Sequence, residues 1–184
     1  RYRMALLTSD GNILQKVGNP TSSFPTPQSV VSASAQFADR LLSKAQPKTQ
    51  LLGLAAAIAG TINQRQGFLQ SSPNLPKWKD VPLRMLLETA TGLPCILEND
   101  ANAGAWGEFK HGAGQGYSDF LYVTVSTGIG GGIIINNQLY RGAIGTAGEI
   151  GHITVEPSGP ACMCGNHGCL ETMASGTAIA RFAN

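Results

Sequence analysis

Three cysteines fall close together in the run Cys162-Met-Cys164-Gly-Asn-His-Gly-Cys169-Leu-Glu171. Three thiolates and one imidazole complete a tetrahedral Cys₃His zinc site, which leaves no open position and is therefore structural. Two histidines compete for the fourth place. His167 sits in the same tight turn, whereas His152, at the end of Glu149-Ile-Gly-His152, lies further off and can close a longer loop. Glu149 and Glu171 flank the cluster, and two carboxylates beside a fixed metal loop suit the recognition of sugar hydroxyls. The alternative for each is an exposed surface glutamate. The fourth cysteine, Cys95, stands alone in an apolar run. That distribution reads as a metal site in a reducing compartment rather than as a disulfide framework.

Two further patterns bear on catalysis. Glu98-Asn99-Asp100-Ala101-Asn102 follows a short apolar run and opens a helical segment. Ligands of open α/β sheets bind at the carboxyl ends of strands. Asp100 there could take the proton of a substrate hydroxyl that Asn99 orients, and a helix N-terminus favours negative charge. Either residue could equally be a plain N-cap. Ser126-Thr127-Gly128-Ile129-Gly130-Gly131-Gly132 follows a predicted strand. Glycines let backbone N–H groups approach an anion closely, and Thr127 adds a hydroxyl. A dinucleotide fold or a Walker loop would need a helix next, with a lysine in the Walker case. Ile133 to Ile135, Asn136-Asn137 and Leu139-Tyr140 instead predict a second hairpin. The pattern is thus either a strand–turn–strand phosphate loop or a glycine-rich hairpin without a ligand.

The elements that must position these residues alternate. Tyr2 to Val17 predicts a hairpin about Ser9-Asp10-Gly11-Asn12. Thr26 and Pro27 predict the start of a helix ending near Lys44, with Val30, Phe37 and Leu41 near one face. Leu51 to Ala59 and Cys95 to Leu97 read as strands buried on both faces. Asp80 is the predicted cap of a helix that Gly92 stops, and a further helix runs from about Ala101 to Phe109. His111 to Ser118 reads as a flexible connection before a strand over Phe120 to Val125. Alternating strands and helices imply an α/β layer structure, with an expected N-terminal α/β domain over 1–118 and the start of a second over 119–184.

Composition narrows the function classes. Of 184 residues, 42% are hydrophobic and 13% charged, a globular balance. A net charge of +2 gives no basic field for nucleic acid or an anionic membrane. No apolar run reaches membrane-spanning length, and Arg1-Tyr-Arg-Met-Ala-Leu-Leu7 lacks the regions of a signal peptide. Glycine is abundant, 23 residues concentrated in the second half, which marks specialised backbone there. The chain opens inside a predicted strand without an initiator Met, so it reads as a piece of a longer protein.

Together these residues resemble the ROK family of repressors, open reading frames and kinases. Cys162-x-Cys164-Gly-x-x-Gly-Cys169-x-Glu171, Glu149-x-Gly-His152 and Glu98-Asn-Asp-Ala-Asn102 match its signatures. The tail from Glu171 to Arg181 is most similar to the family's bacterial glucokinases. The resemblance implies a two-domain, actin-like (ribonuclease H-like) sugar kinase fold, truncated at both ends. It implies a cytoplasmic, ATP-dependent hexose kinase of glycolytic carbohydrate metabolism that makes glucose 6-phosphate from glucose. Asp100 would be the base for the 6-hydroxyl. Asn99, Glu149, His152 and Glu171 would bind the other hydroxyls, with Gly60 and Asn74 also lining the sugar. Ala59 stands where the family often has proline, which loosens the inference for Gly60. Thr127, Gly128, Gly130, Gly131 and Gly132 would hold the phosphates of ATP, which carries Mg²⁺. His152, Cys162, Cys164 and Cys169 would hold a structural Zn²⁺, with the other His152 nitrogen facing the sugar. A homodimer, and no nucleic-acid or membrane partner, would follow for the full-length protein. The family's Asp-x-Gly-Gly-Thr loop and its C-terminal part lie outside this chain, so the piece alone is expected to be inactive or weakly active. The alternatives within the family are a sugar-responsive repressor and a fructose or N-acetylmannosamine kinase.

Overall fold

The computed structural model describes residues 2–43 and 50–183. The chain groups into two compact units, Arg1–Glu98 and Asn99–Asn184.

In the first unit, β1 (Tyr2–Leu7) and β2 (Ile13–Asn19) form the expected antiparallel hairpin, pairing Met4 with Val17. Gly11, at φ 90°, turns the chain, and the Gly11 N–H donates to the Thr8 carbonyl. Helix α1 (Pro27–Ser43) starts where Thr26 predicts. The Thr26 hydroxyl accepts the Ser29 N–H at 3.2 Å, supplying one of the donors a helix start leaves open. Phe37 is its buried anchor; the predicted end at Lys44 lies outside the described residues.

Strand β3 (Leu54–Ile58) pairs with β6 (Cys95–Asn99). Both were expected to be buried on two faces, and neither is. Leu54, Ala56, Ile58, Cys95 and Leu97 face a core of Ile62, Leu69, Trp78, Val81, Leu83 and Leu87. Ala55 and Ala57 are exposed, and so is Ile96. Among the described residues the pair has a packed layer on one side only. Between them lies a hairpin that sequence reasoning did not find, β4 (Thr61–Asn63) and β5 (Phe68–Ser71). The Arg84 guanidinium, on α2 (Leu83–Thr91), donates to the Gln64 and Arg65 carbonyls and pins its turn.

Asp80 does not cap α2. It sits at φ 50° and its N–H donates to the Gln70 carbonyl, while Val81 bridges to Leu69. That bridge keeps the chain extended, so the helix starts only after Pro82. Gly92 ends α2 as expected, left-handed at φ 68° with its N–H on the Glu88 carbonyl.

In the second unit, α3 (Asp100–His111) packs on the sheet β7 (Phe120–Val125), β8 (Ile129–Ile135) and β9 (Gln138–Tyr140). By contact this helix groups with the strands that follow it. The turn from β8 to β9 is Asn136-Asn137, both left-handed, as the second hairpin requires. The connection 112–118 is not loose. The Glu108 carbonyl accepts the Gly112 and Gly114 N–H groups, and its carboxylate accepts that of Ala113. Beyond β9 come a 3₁₀ turn over Ile150–His152 and two short helices, α4 (Leu170–Ala174) and α5 (Gly176–Ala183). No helix among the described residues is long and apolar enough to cross a membrane.

Candidate functional site

Asn99 and Asp100 stand at the junction of β6 and α3. The Asn99 Oδ1 accepts the N–H groups of Ala101 at 2.9 Å and Asn102 at 3.1 Å, so it is the N-cap of α3. This was one of the two readings open from sequence. It also fixes Asp100 as the first helical residue, exposed, with its Oδ1 3.1 Å from the Ala101 N–H. Asn99 thereby does for Asp100 what a cap does for any first turn: it defines the direction in which the carboxylate leaves the helix.

The glycines of the β7–β8 hairpin divide by role. The Ser126 N–H donates to the Gly128 carbonyl at 2.8 Å, closing a turn around the exposed Thr127. Gly130, Gly131 and Gly132, also expected to hold phosphate, are strand residues paired with Thr124, Val123 and Tyr122. Their missing side chains make room for neighbouring elements. A Cβ on Gly130 would lie 3.0 Å from the Ala101 Cβ, and one on Gly132 2.5 Å from the Ala105 Cβ. On the opposite face, a Cβ on Gly131 would lie 2.7 Å from the Gly148 carbonyl oxygen, and one on Gly148 2.7 Å from the Gly131 oxygen. These three glycines therefore let α3 and the 148–150 segment close on β8.

The loop after β9 carries the metal-type cluster. The Cys162, Cys164 and Cys169 sulfurs and a His152 ring nitrogen all lie within 4.8 Å of one another. The Cys164 and Cys169 sulfurs are 3.6 Å apart, and the Cys162 sulfur is 3.5 Å from His152 Nδ1. Zinc–sulfur bonds of about 2.3 Å give tetrahedral edges of about 3.8 Å, so the donor set fits one zinc ion, and the separations are far too long for a disulfide. His167 is not in the cluster; it bridges to Ala161 instead. His152 Nε2 faces Glu149, with Oε2 at 3.9 Å. Backbone bonds shape the loop: Val155 and Glu156 donate to the Gly168 carbonyl, Cys162 to Asn166, and Leu170 to Ile153. Gly168, at φ 60°, lies with its Cα against the Glu156 carbonyl. The thiols differ in their surroundings. Burial pushes Cys169 up to about 12, with the neighbouring thiols adding to the rise. The Asn166 N–H on its sulfur, then Cys162, hold Cys164 below the usual thiol range.

Glu171 does something its sequence reading did not include. Its Oε2 accepts the Ile129 N–H at 2.8 Å and lies against the Gly128 Cα. Two more bonds reach the same turn: Gly176 N–H to the Ser126 carbonyl and Thr177 Oγ1 to the Thr127 carbonyl, both 2.8 Å. No sequence signal pointed to Gly176 or Thr177. Gly60 and Asn74 belong to the first unit. Gly60, at φ 138°, lies with its Cα against the Ser71 carbonyl, so the β4–β5 hairpin by itself demands glycine there. Asn74 is exposed in the loop after β5.

The ROK family model matches residues 1–184. The chain is 41% identical over 180 residues to a glucokinase of Streptomyces coelicolor, covering 97% of this chain and 54% of that protein. Its structure superposes on a ROK family glucokinase from Streptomyces griseus, solved with glucose and AMPPNP, with a TM-score of 0.77 and 39% identity. That match covers 97% of this chain and 55% of the other. A xylose repressor of Bacillus subtilis is 43% identical over 129 residues, 70% of this chain and 33% of that protein. The chain thus spans about half the length of the curated glucokinases it matches.

Proposed function

The chain belongs to the ROK family, with the actin-like α/β fold of its sugar kinases, and from that premise we propose that it is part of an ATP-dependent hexose kinase acting on the 6-hydroxyl of glucose. The observation that carries the reading is Asp100, an exposed carboxylate fixed at the first turn of α3 by the Asn99 cap. Identity across the whole chain favours a kinase over a repressor: it is 41% over 97% of the chain to the glucokinase, against 43% over only 70% to the xylose repressor and 27% over 98% to a ROK family transcriptional regulator of known structure.

In this reading the sugar 6-oxygen attacks the γ-phosphorus of ATP. The new oxygen–phosphorus bond forms as the bond to the leaving ADP breaks, and the hydroxyl proton passes to the Asp100 carboxylate. Such transfer depends chiefly on positioning and charge. Thr127 and the Gly128 backbone meet the phosphates, while Gly130 and Gly132 keep β8 close to α3 and Gly131 admits the 148–150 segment on the other face. Mg²⁺ arriving with ATP supplies charge neutralisation. Glu149, His152 and Glu171 orient the remaining hydroxyls, joined by Asn99. His152, Cys162, Cys164 and Cys169 would hold a structural zinc ion, which would stiffen the loop and leave the second ring nitrogen of His152 for the sugar.

The test is kcat/KM of the whole protein with ATP for glucose, fructose and N-acetylmannosamine, since specificity is a ratio of those values. Glucose should rank first. Preference for another hexose would move the protein to a different kinase subgroup. Sugar-dependent DNA binding without phosphoryl transfer would establish the repressor reading instead.

A further inference from the structure

Three hydrogen bonds converge on the four residues Ser126–Ile129 from a seven-residue stretch, 171–177. Glu171 Oε2 takes the Ile129 N–H, the Gly176 N–H goes to the Ser126 carbonyl, and Thr177 Oγ1 goes to the Thr127 carbonyl. Each engages a different backbone group of the turn. Space is tight on both sides of the contact. A Cβ at Gly128 would collide with the Glu171 carboxylate, and one at Gly176 would lie 2.7 Å from the Ser126 carbonyl. The stretch is itself braced. Thr177 Oγ1 is 3.0 Å from the buried Ser175 hydroxyl, and Ser175 Oγ accepts the Ala178 N–H. Its N-terminal end follows Cys169, a member of the metal-type cluster.

We propose that residues 171–177 form a clasp that sets the conformation of the Ser126–Ile129 turn, with Thr177 as a positioning residue for the nucleoside triphosphate. The inference rests on the kinase reading of that turn. The Ser126 and Ile129 N–H groups are already bonded, so the donors this turn offers to phosphate are the Thr127 and Gly128 N–H groups and the Thr127 hydroxyl, and the carbonyls beside them must be held away from the anion. Thr177 and Gly176 do this by bonding the Thr127 and Ser126 carbonyls. Glu171 engages Ile129, the first residue of β8, so the turn is fixed at both of its ends. Loss of the Thr177 bond should therefore weaken nucleotide binding while leaving the sugar contacts and the proton acceptor in place.

The experiment compares the whole wild-type protein with Thr177→Val, which keeps the shape and removes the hydroxyl, and Thr177→Ser, which keeps the hydroxyl. Thr177 is exposed, so neither change disturbs a core. Thr177→Val should raise KM for ATP about three- to ten-fold, the worth of a single neutral hydrogen bond. KM for glucose should be unchanged, and Thr177→Ser should restore the ATP value. An unaltered KM for ATP, an equal rise for glucose, or no restoration by serine would overturn the proposal. If the wild-type protein shows no ATP-dependent phosphorylation, the kinase reading fails, and the clasp is then judged by amide hydrogen exchange. Faster exchange of the Ile129 N–H in Thr177→Val supports it, and unchanged exchange sinks it.

Discussion

The layer of α3, β7 and β8 and the loop from Arg141 to Cys169 lie in the same unit and owe their shapes to different forces. In the layer, glycines at 130 and 132 let a helix close on a strand, and Ala105 and Ile134 are almost fully buried there. In the loop, Ile144, Ile153, Val155 and Met163 are all exposed, and order comes from backbone bonds and a cluster of one imidazole and three sulfurs. One region is shaped by packing, which many residues share. The other depends on four side chains that must act together. A kinase built on both would keep its base on the packed region and two of its sugar contacts, Glu149 and His152, on the ligated one.

Removal of the metal should separate the two regions most sharply. Structural zinc contributes about 10–16 kcal/mol of binding free energy in small peptides near neutral pH, more than a loop without a buried core can replace. After chelation, the Val155, Glu156 and Gly168 amides should lose their exchange protection while those of β7 and β8 keep theirs. Restored zinc should reverse the change. A loop that stayed protected without metal would erase the distinction.

A smaller effect belongs to Asp100. In the whole enzyme, Asp100→Asn should lower kcat by roughly 10²–10⁴, the usual contribution of a general base, with little change in glucose affinity by calorimetry. Near-normal turnover would reduce Asp100 to a first-turn acid. The smallest effect tests the packing. Gly132→Ala puts a methyl 2.5 Å from Ala105 and should destabilise the protein by about 1–3 kcal/mol in thermal unfolding. Gly107→Ala, on the same helix with open space above it, should instead stabilise by about 0.5–1 kcal/mol. Equal responses at the two sites would mean that close approach is not what the strand glycines provide.

Local chemistry made part of this readable from sequence. The Cys₃His spacing, the Asn136-Asn137 turn, the Thr26 cap and the Gly92 stop each depend on a few adjacent residues, and each is found where expected. What was missed depends on distant partners. The β4–β5 hairpin has strands of three and four residues and a turn pinned by Arg84 from the next helix. Asp80 resembles a cap until Leu69 bridges to Val81. Gly130 to Gly132 also admit α3 and the 148–150 segment to β8, a packing role that is invisible along the chain. The Glu171–Ile129 bond spans 42 positions, beyond the reach of any local rule.

The mutual contact of Gly131 and Gly148 restricts how this protein can vary. Each glycine forbids a side chain on the other, since the first methyl group to appear on either meets a carbonyl at 2.7 Å. Replacing both at once relieves nothing, because each new methyl faces backbone rather than the other's side chain, and Gly148 in addition sits at φ 88°. No series of single substitutions leads away from the pair through a neighbour that compensates. A variant library would find position 131 closed even though it lies in a strand, an element that otherwise accepts many side chains.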